Sequence, residues 1–98
     1  MSALSWAIAG SLFALGLAAT ILRRQLLAML LGVELMLAGA SLALVREAGL
    51  RGDSEALAVA ALILAVGAAE AVVGLSLILR MFRAGRGTQA GALAELKG

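Results

Sequence analysis

The run LAVAALILAVGAAEAVVGLSLIL, residues 57–79, is almost unbroken apolar sequence with one carboxylate, Glu70, near its middle. At ~1.5 Å per residue, a helix of this length crosses a hydrocarbon core of ~30 Å. A charged side chain at the centre of such a helix costs roughly 2.5–3.5 kcal/mol on insertion scales. Against it stand twelve Leu, Ile and Val residues, together contributing at most about 4–7 kcal/mol. The run therefore inserts despite its acid, and the acid needs a functional explanation.

Composition extends that reading to the whole chain. Its 98 residues are 63% hydrophobic and 14% charged, with a mean hydropathy of +1.08. Soluble domains are only ~45–50% apolar. A soluble enzyme is excluded, and the class is a small all-α integral membrane protein. There is no cysteine and no histidine. A disulfide framework and a thiolate centre are thus absent, as are the commonest metal ligand and the usual neutral-pH base. No metal site is expected. The bilayer is the expected surrounding, and no nucleic-acid partner is.

Working outward, residues 25–45 form a second apolar run, with Glu34 near its centre and Arg46 just beyond. Residues 3–22 form a first, free of ionisable side chains and ended by Arg23 and Arg24. Positive charge follows that run instead of preceding it, and another span comes at once, so it is not a signal peptide. Trp6 reads as an interfacial anchor, and Gly10, Ala14 and Ala18 as a small-residue stripe for helix approach. Residues 46–55 read as a polar connection broken by Gly49 and Gly52, with Asp53 or Ser54 capping the third helix. Residues 84–98 read as a loosely ordered tail. The chain is expected to be one membrane domain of three transmembrane helices.

Three spans place the N-terminus and the 46–55 connection on one side, with Arg46 and Arg51. The other side has Arg23, Arg24, Arg80, Arg83, Arg86 and Lys97. The positive-inside bias makes the C-terminal tail cytoplasmic and the N-terminus external. Glu34 then lies nine residues from the cytoplasmic end of its span at Gln25, and Glu70 nine from Leu79. Both acids are expected ~13.5 Å deep on adjacent antiparallel helices, where they could face one another, directly or through water.

That placement suggests proton chemistry. Hydrocarbon surroundings favour the neutral form of a carboxyl group, and a neighbouring carboxylate favours it further. A strongly interacting pair titrates as one unit. No Lys or Arg lies inside any span, so a buried counter-charge must come from another subunit. The bland alternatives are specific. Glu34 and Glu70 could serve only as hydrogen-bonding groups in assembly, although intramembrane acids default to function. Arg23 and Arg24 could be topology anchors only. Gly67 and Gly74, at i−3 and i+4 from Glu70, read first as helix-packing residues. Ser41, one heptad from Glu34, could extend a polar path or simply bond back to its own helix. Met29 and Met36 read as packing residues.

These residues carry a resemblance. RRQLLAMLLGVELML, residues 23–37, resembles the cytoplasmic arginine pair and Gly-x-Glu-Leu-Met-Leu helix of the small K-type (4L-type in mitochondria) subunits of NADH–quinone oxidoreductase, respiratory complex I. AAEAVVGLSLIL, residues 68–79, resembles that family's Ala-Ala-Glu-x-x-x-Gly-Leu helix. The match covers nearly the whole length. Glu34 and Glu70 fall on the family's two intramembrane glutamates, and Arg23 and Arg24 on its short basic loop. The family usually has asparagines where this chain has Ala38 and Ser41.

The resemblance implies a bacterial inner-membrane subunit lying between the quinone-proximal subunits and an antiporter-like subunit. Glu34 and Glu70 would join a buried chain of acids and lysines linking quinone reduction to proton pumping. The chain itself would bind no cofactor; FMN, iron–sulfur clusters and quinone would belong to other subunits. Other classes fit less well. The homologous small subunit of multisubunit cation/proton antiporters shares the three-helix plan, but the 68–79 stretch favours the respiratory enzyme. A small multidrug exporter would show four spans and more aromatic residues. A rotary-ATPase rotor subunit would place its acid about twenty residues beyond the turn. A purely structural assembly subunit is the remaining alternative.

Overall fold

The computed structural model describes residues 2–85 and 90–91, and is all-helical there apart from short connections. The helices are α1 (Ser2–Leu22), α2 (Leu26–Arg51) and α3 (Ser54–Arg83). Each is long and apolar enough to cross a membrane. The molecule measures 51 × 24 × 17 Å. Its long axis is close to the ~45 Å length of α3 alone at ~1.5 Å per residue.

The helices outrun their apolar cores. The expected connection over residues 46–55 is a correction: α2 continues to Arg51, and only Gly52 and Asp53 lie between helices. Glu47 holds the extra turns, its carboxylate lying 3.5 Å from Arg46 and 3.6 Å from Arg51, the latter one turn ahead. Gly49 does not break the helix. Gly52 does, in the left-handed region at φ +65, where glycine has no Cβ penalty. Its N–H donates to the Gly49 carbonyl, and that of Asp53 donates to Ala48 at 2.9 Å. This pair of bonds is the Schellman ending of a helix. Asp53 also caps α3, its side chain accepting from the Ala56 N–H at 3.1 Å. One two-residue connection thus ends one helix and starts the next.

The middle helix, α2, packs on α1 with one face and on α3 with another. The α1 contact is made through glycine. A Cβ on Gly39 would lie 2.6 Å from the Ala9 carbonyl oxygen and 2.9 Å from the Phe13 nitrogen. One on Gly32 would lie 2.6 Å from the Gly16 carbonyl oxygen. The backbones cross at contact distance, as small residues permit in membranes. The expected Gly10, Ala14 and Ala18 stripe is not the face that α2 meets at this crossing. Gly10 and Ala14 are exposed and line an outer groove with Trp6 and Phe13. Ala9, Gly16 and Thr20 lie on the neighbouring stripe that α2 does meet.

Little is buried inside the chain. Among the described residues, Met81 is the largest buried side chain, with Ala9, Ser41, Ala48, Ala60 and four glycines. Leucines, valines and isoleucines cover the exterior of all three helices. Between apolar helices in lipid there is no hydrophobic driving force, so close van der Waals contact through small residues takes over.

Candidate functional site

The site is the seam between α2 and α3. Leu30 of α2 lies against Gly74 of α3, with its Cδ1 3.0 Å from where a glycine Cβ would stand. Leu37 lies against Gly67, its Cδ1 3.3 Å from the corresponding point. From Leu30 to Leu37 is seven residues forward, and from Gly74 to Gly67 seven back. Glu34 is four residues past Leu30 and Glu70 four before Gly74. The antiparallel register therefore sets the two glutamates level along the seam, as their spacing from the helix ends implies.

Level does not mean facing. Glu34 turns into the seam: its Oε2 lies 3.7 Å from the Cβ position of Gly67. Its Oε1 is buried and has no hydrogen-bond partner. Glu70 is exposed and sits at the rim of an open apolar groove lined by Val66, Ala69, Val73 and Gly74. The reason is angular. Ala60, Gly67, Gly74 and Met81 recur every seven residues and form α3's α2-facing stripe. Three residues along a helix from Gly67 is about 60° short of a full turn, which carries Glu70 to the edge of that stripe. One acid therefore looks inward and the other outward.

Gly67 and Gly74 do lie at the packing surface, where their missing side chains admit Leu37, Leu30 and the Glu34 carboxylate. Ser41 shares α2's stripe with Leu30, Glu34 and Leu37. It is 4% exposed, and its Oγ has no hydrogen-bond partner. It does not bond back to its own helix, although Thr20 Oγ1 donates to Gly16 and Ser76 Oγ to Val72, both at 2.8 Å. The seam thus contains two unsatisfied buried oxygens, one each from Glu34 and Ser41. Such groups are uncommon and each calls for a reason. At ~1.5 Å per residue the two positions are ~10.5 Å apart, too far for a direct bond.

Arg23 and Arg24 are exposed in the α1–α2 turn. They lie eleven and ten positions before Glu34 in sequence, beyond the start of α2, and the structure does not bring them into the seam. Two features were not read from the sequence. Thr20 joins the α1–α2 crossing, its Oγ1 also 4.0 Å from the Met36 sulfur; the spacing of Gly16, Gly32 and Gly39 was the available signal. The second is a backbone bond from Ala90 to Arg24, for which no local signal exists.

Comparison with known proteins identifies the family. Residues 4–98 match the family described as NADH-ubiquinone/plastoquinone oxidoreductase chain 4L. The NADH-quinone oxidoreductase subunit K of Gluconacetobacter diazotrophicus is 44% identical over 81 residues, which cover 83% of this chain and 78% of that protein. Subunit K of Deinococcus radiodurans is 39% identical over 92 residues, 94% of this chain and 89% of that one. Subunit K of Myxococcus xanthus is 40% identical over 76 residues, 78% and 76% of the two chains. With a match over almost its whole length and relatives this similar, the chain belongs to the NADH-ubiquinone/plastoquinone oxidoreductase chain 4L family, to which its glutamate-bearing helices already pointed.

Proposed function

We propose that this chain is a membrane-arm subunit of a proton-translocating NADH–quinone oxidoreductase, and that Glu34 and Glu70 belong to the buried relay coupling quinone reduction to proton transfer. Family membership supports the first part. The register supports the second: it sets two carboxylates level in the membrane-spanning part, one inside the α2–α3 seam and one on its outer rim. A lone carboxylate would be a dead end. An inward and an outward acid at one depth can receive a proton or a charge signal on one side and pass it on at the other.

Each residue then has a role. Glu34 is the inner station. One of its oxygens lacks a donor from this chain, so it is open to the water or the partner groups that reach the seam. Ser41, buried with a free hydroxyl on the same stripe, extends the polar path along the seam through intervening water. Gly67 leaves room for the Glu34 carboxylate to move. Glu70 faces a partner subunit, which supplies the donor or counter-charge that no span of this chain contains. The partners are an antiporter-like subunit and the quinone-proximal membrane subunits. On this reading FMN, iron–sulfur clusters and quinone belong to other subunits. The N-terminus is external and the C-terminus cytoplasmic in a bacterial inner membrane, with Arg23 and Arg24 forming a cytoplasmic loop that contributes to coupling.

The test is isosteric. Gln keeps the size and hydrogen-bonding capacity of Glu but cannot ionise. Glu34→Gln and Glu70→Gln complexes are expected to assemble with their full subunit set and to lose most proton pumping. Quinone reduction should fall with pumping to the extent that the two are tightly coupled. Asp replacements should retain part of the activity, because the ionisable group survives one methylene shorter. Full pumping by assembled Gln variants would leave only the structural role.

A further inference from the structure

The α1–α2 turn consists of Arg23, Arg24 and Gln25, between helices ending at Leu22 and starting at Leu26. It contains none of Gly, Pro, Asn, Asp or Ser, the residues whose own chemistry closes turns. Gln25, at the N-cap of α2, is extended at φ −81 and ψ 132 and makes no side-chain bond to the helix amides. The α2–α3 connection is the opposite case, with a left-handed glycine and an aspartate cap.

What reaches the α1–α2 turn comes from the far end of the chain. The Ala90 backbone N–H donates to the Arg24 carbonyl at 2.7 Å, and Ala90 is half-buried. Past the end of α3, Gly85 adopts φ +73, and its N–H donates to Phe82 at 3.1 Å. Ala90 and Gly91 are small, as a backbone-to-backbone approach of this kind requires. The Arg23 and Arg24 side chains stay exposed.

We propose that Ala90 is a clasp that holds the α1–α2 turn through its backbone amide on the Arg24 carbonyl, and so sets how Arg23 and Arg24 are presented at that end of the molecule. The clasp is independent of whether the glutamates carry protons. It acts through a backbone donor, so it tolerates side-chain change at position 90 but not loss of the N–H. Proline is the one residue that removes it.

The test uses the purified, assembled complex. The chain has no cysteine of its own, so Leu26→Cys, at the half-buried first position of α2, introduces a single reporter thiol on this subunit whose labelling rate is followed. One net backbone hydrogen bond corresponds to a change of roughly 2- to 10-fold in opening. Ala90→Pro, and a chain ended after Gly85, should label faster by that factor, whereas Ala90→Ser should label at the parent rate. Hydrogen exchange on the unaltered complex provides a measurement that does not depend on variants assembling. The Ala90 amide should exchange at least roughly tenfold more slowly than an unstructured amide. Unprotected exchange at Ala90, or equal labelling in the parent, serine and truncated chains, would overturn the clasp.

Discussion

At the scale of single residues, the seam turns on Glu34 and the glycine opposite it. A Cβ on Gly67 would meet Leu37 Cδ1 at 3.3 Å and Glu34 Oε2 at 3.7 Å. The first is the far end of a flexible side chain, and the second is ordinary contact. Gly67→Ala is therefore expected to assemble normally and keep most coupled activity. Gly67→Leu should fill the space the carboxylate occupies and cut proton pumping sharply while the subunit remains in the complex. Pumping rate per assembled complex checks both, and an unaffected Gly67→Leu would remove Gly67 from the site. The identity of both acids and their common depth were legible in the sequence, because charge, span length and spacing encode them directly. Their different directions were not. Facing depends on which α3 stripe meets α2, and that was decided by Ala60, Gly67, Gly74 and Met81 packing as a set.

At the scale of helices, three spans were legible because apolar length and flanking arginines define them, whereas their true ends were not. Residues 46–51 look polar, yet the Arg46–Glu47–Arg51 ion pairs and a Schellman ending carry the helix through them. The α1–α2 crossing supplies a clean contrast. Gly39→Ala would drive a methyl group against the Ala9 carbonyl at 2.6 Å, and backbone cannot step aside as a side chain can. Overpacking of this kind costs about 1–3 kcal/mol. Gly10→Ala meets nothing within 4 Å and gains helix propensity of about 0.5–1 kcal/mol. Thermal stability of the complex in mild detergent should fall for the first and hold for the second. The turn itself gives a further expectation. Replacing both Arg23 and Arg24 with Ala should weaken coupled activity if the loop takes part in coupling, and leave it nearly normal if they serve only as topology anchors; the proposed role predicts the loss.

At the scale of the whole molecule, the chain is a thin sheet of three helices with almost no interior. Among the described residues no large side chain is fully buried, an acid lies exposed on an apolar helix, and small-residue grooves are open to the outside. Such a surface is completed by other membrane helices, so the isolated chain is expected to be polydisperse in mild detergent, which size-exclusion chromatography with light scattering would show. Orientation has its own check. Cysteines introduced at Ser2 and Gly52 should react with impermeant reagents from outside, and one at Thr88 only after the cytoplasmic face is opened. The central claim, that Glu34 and Glu70 work as one proton-handling unit, is tested most directly by the Glu34→Gln, Glu70→Gln double variant. Residues that act together are non-additive in their effects, so the assembled double variant should pump no better, and little worse, than the more damaged single. Proton pumping at the parental rate in that assembled double variant would contradict the account.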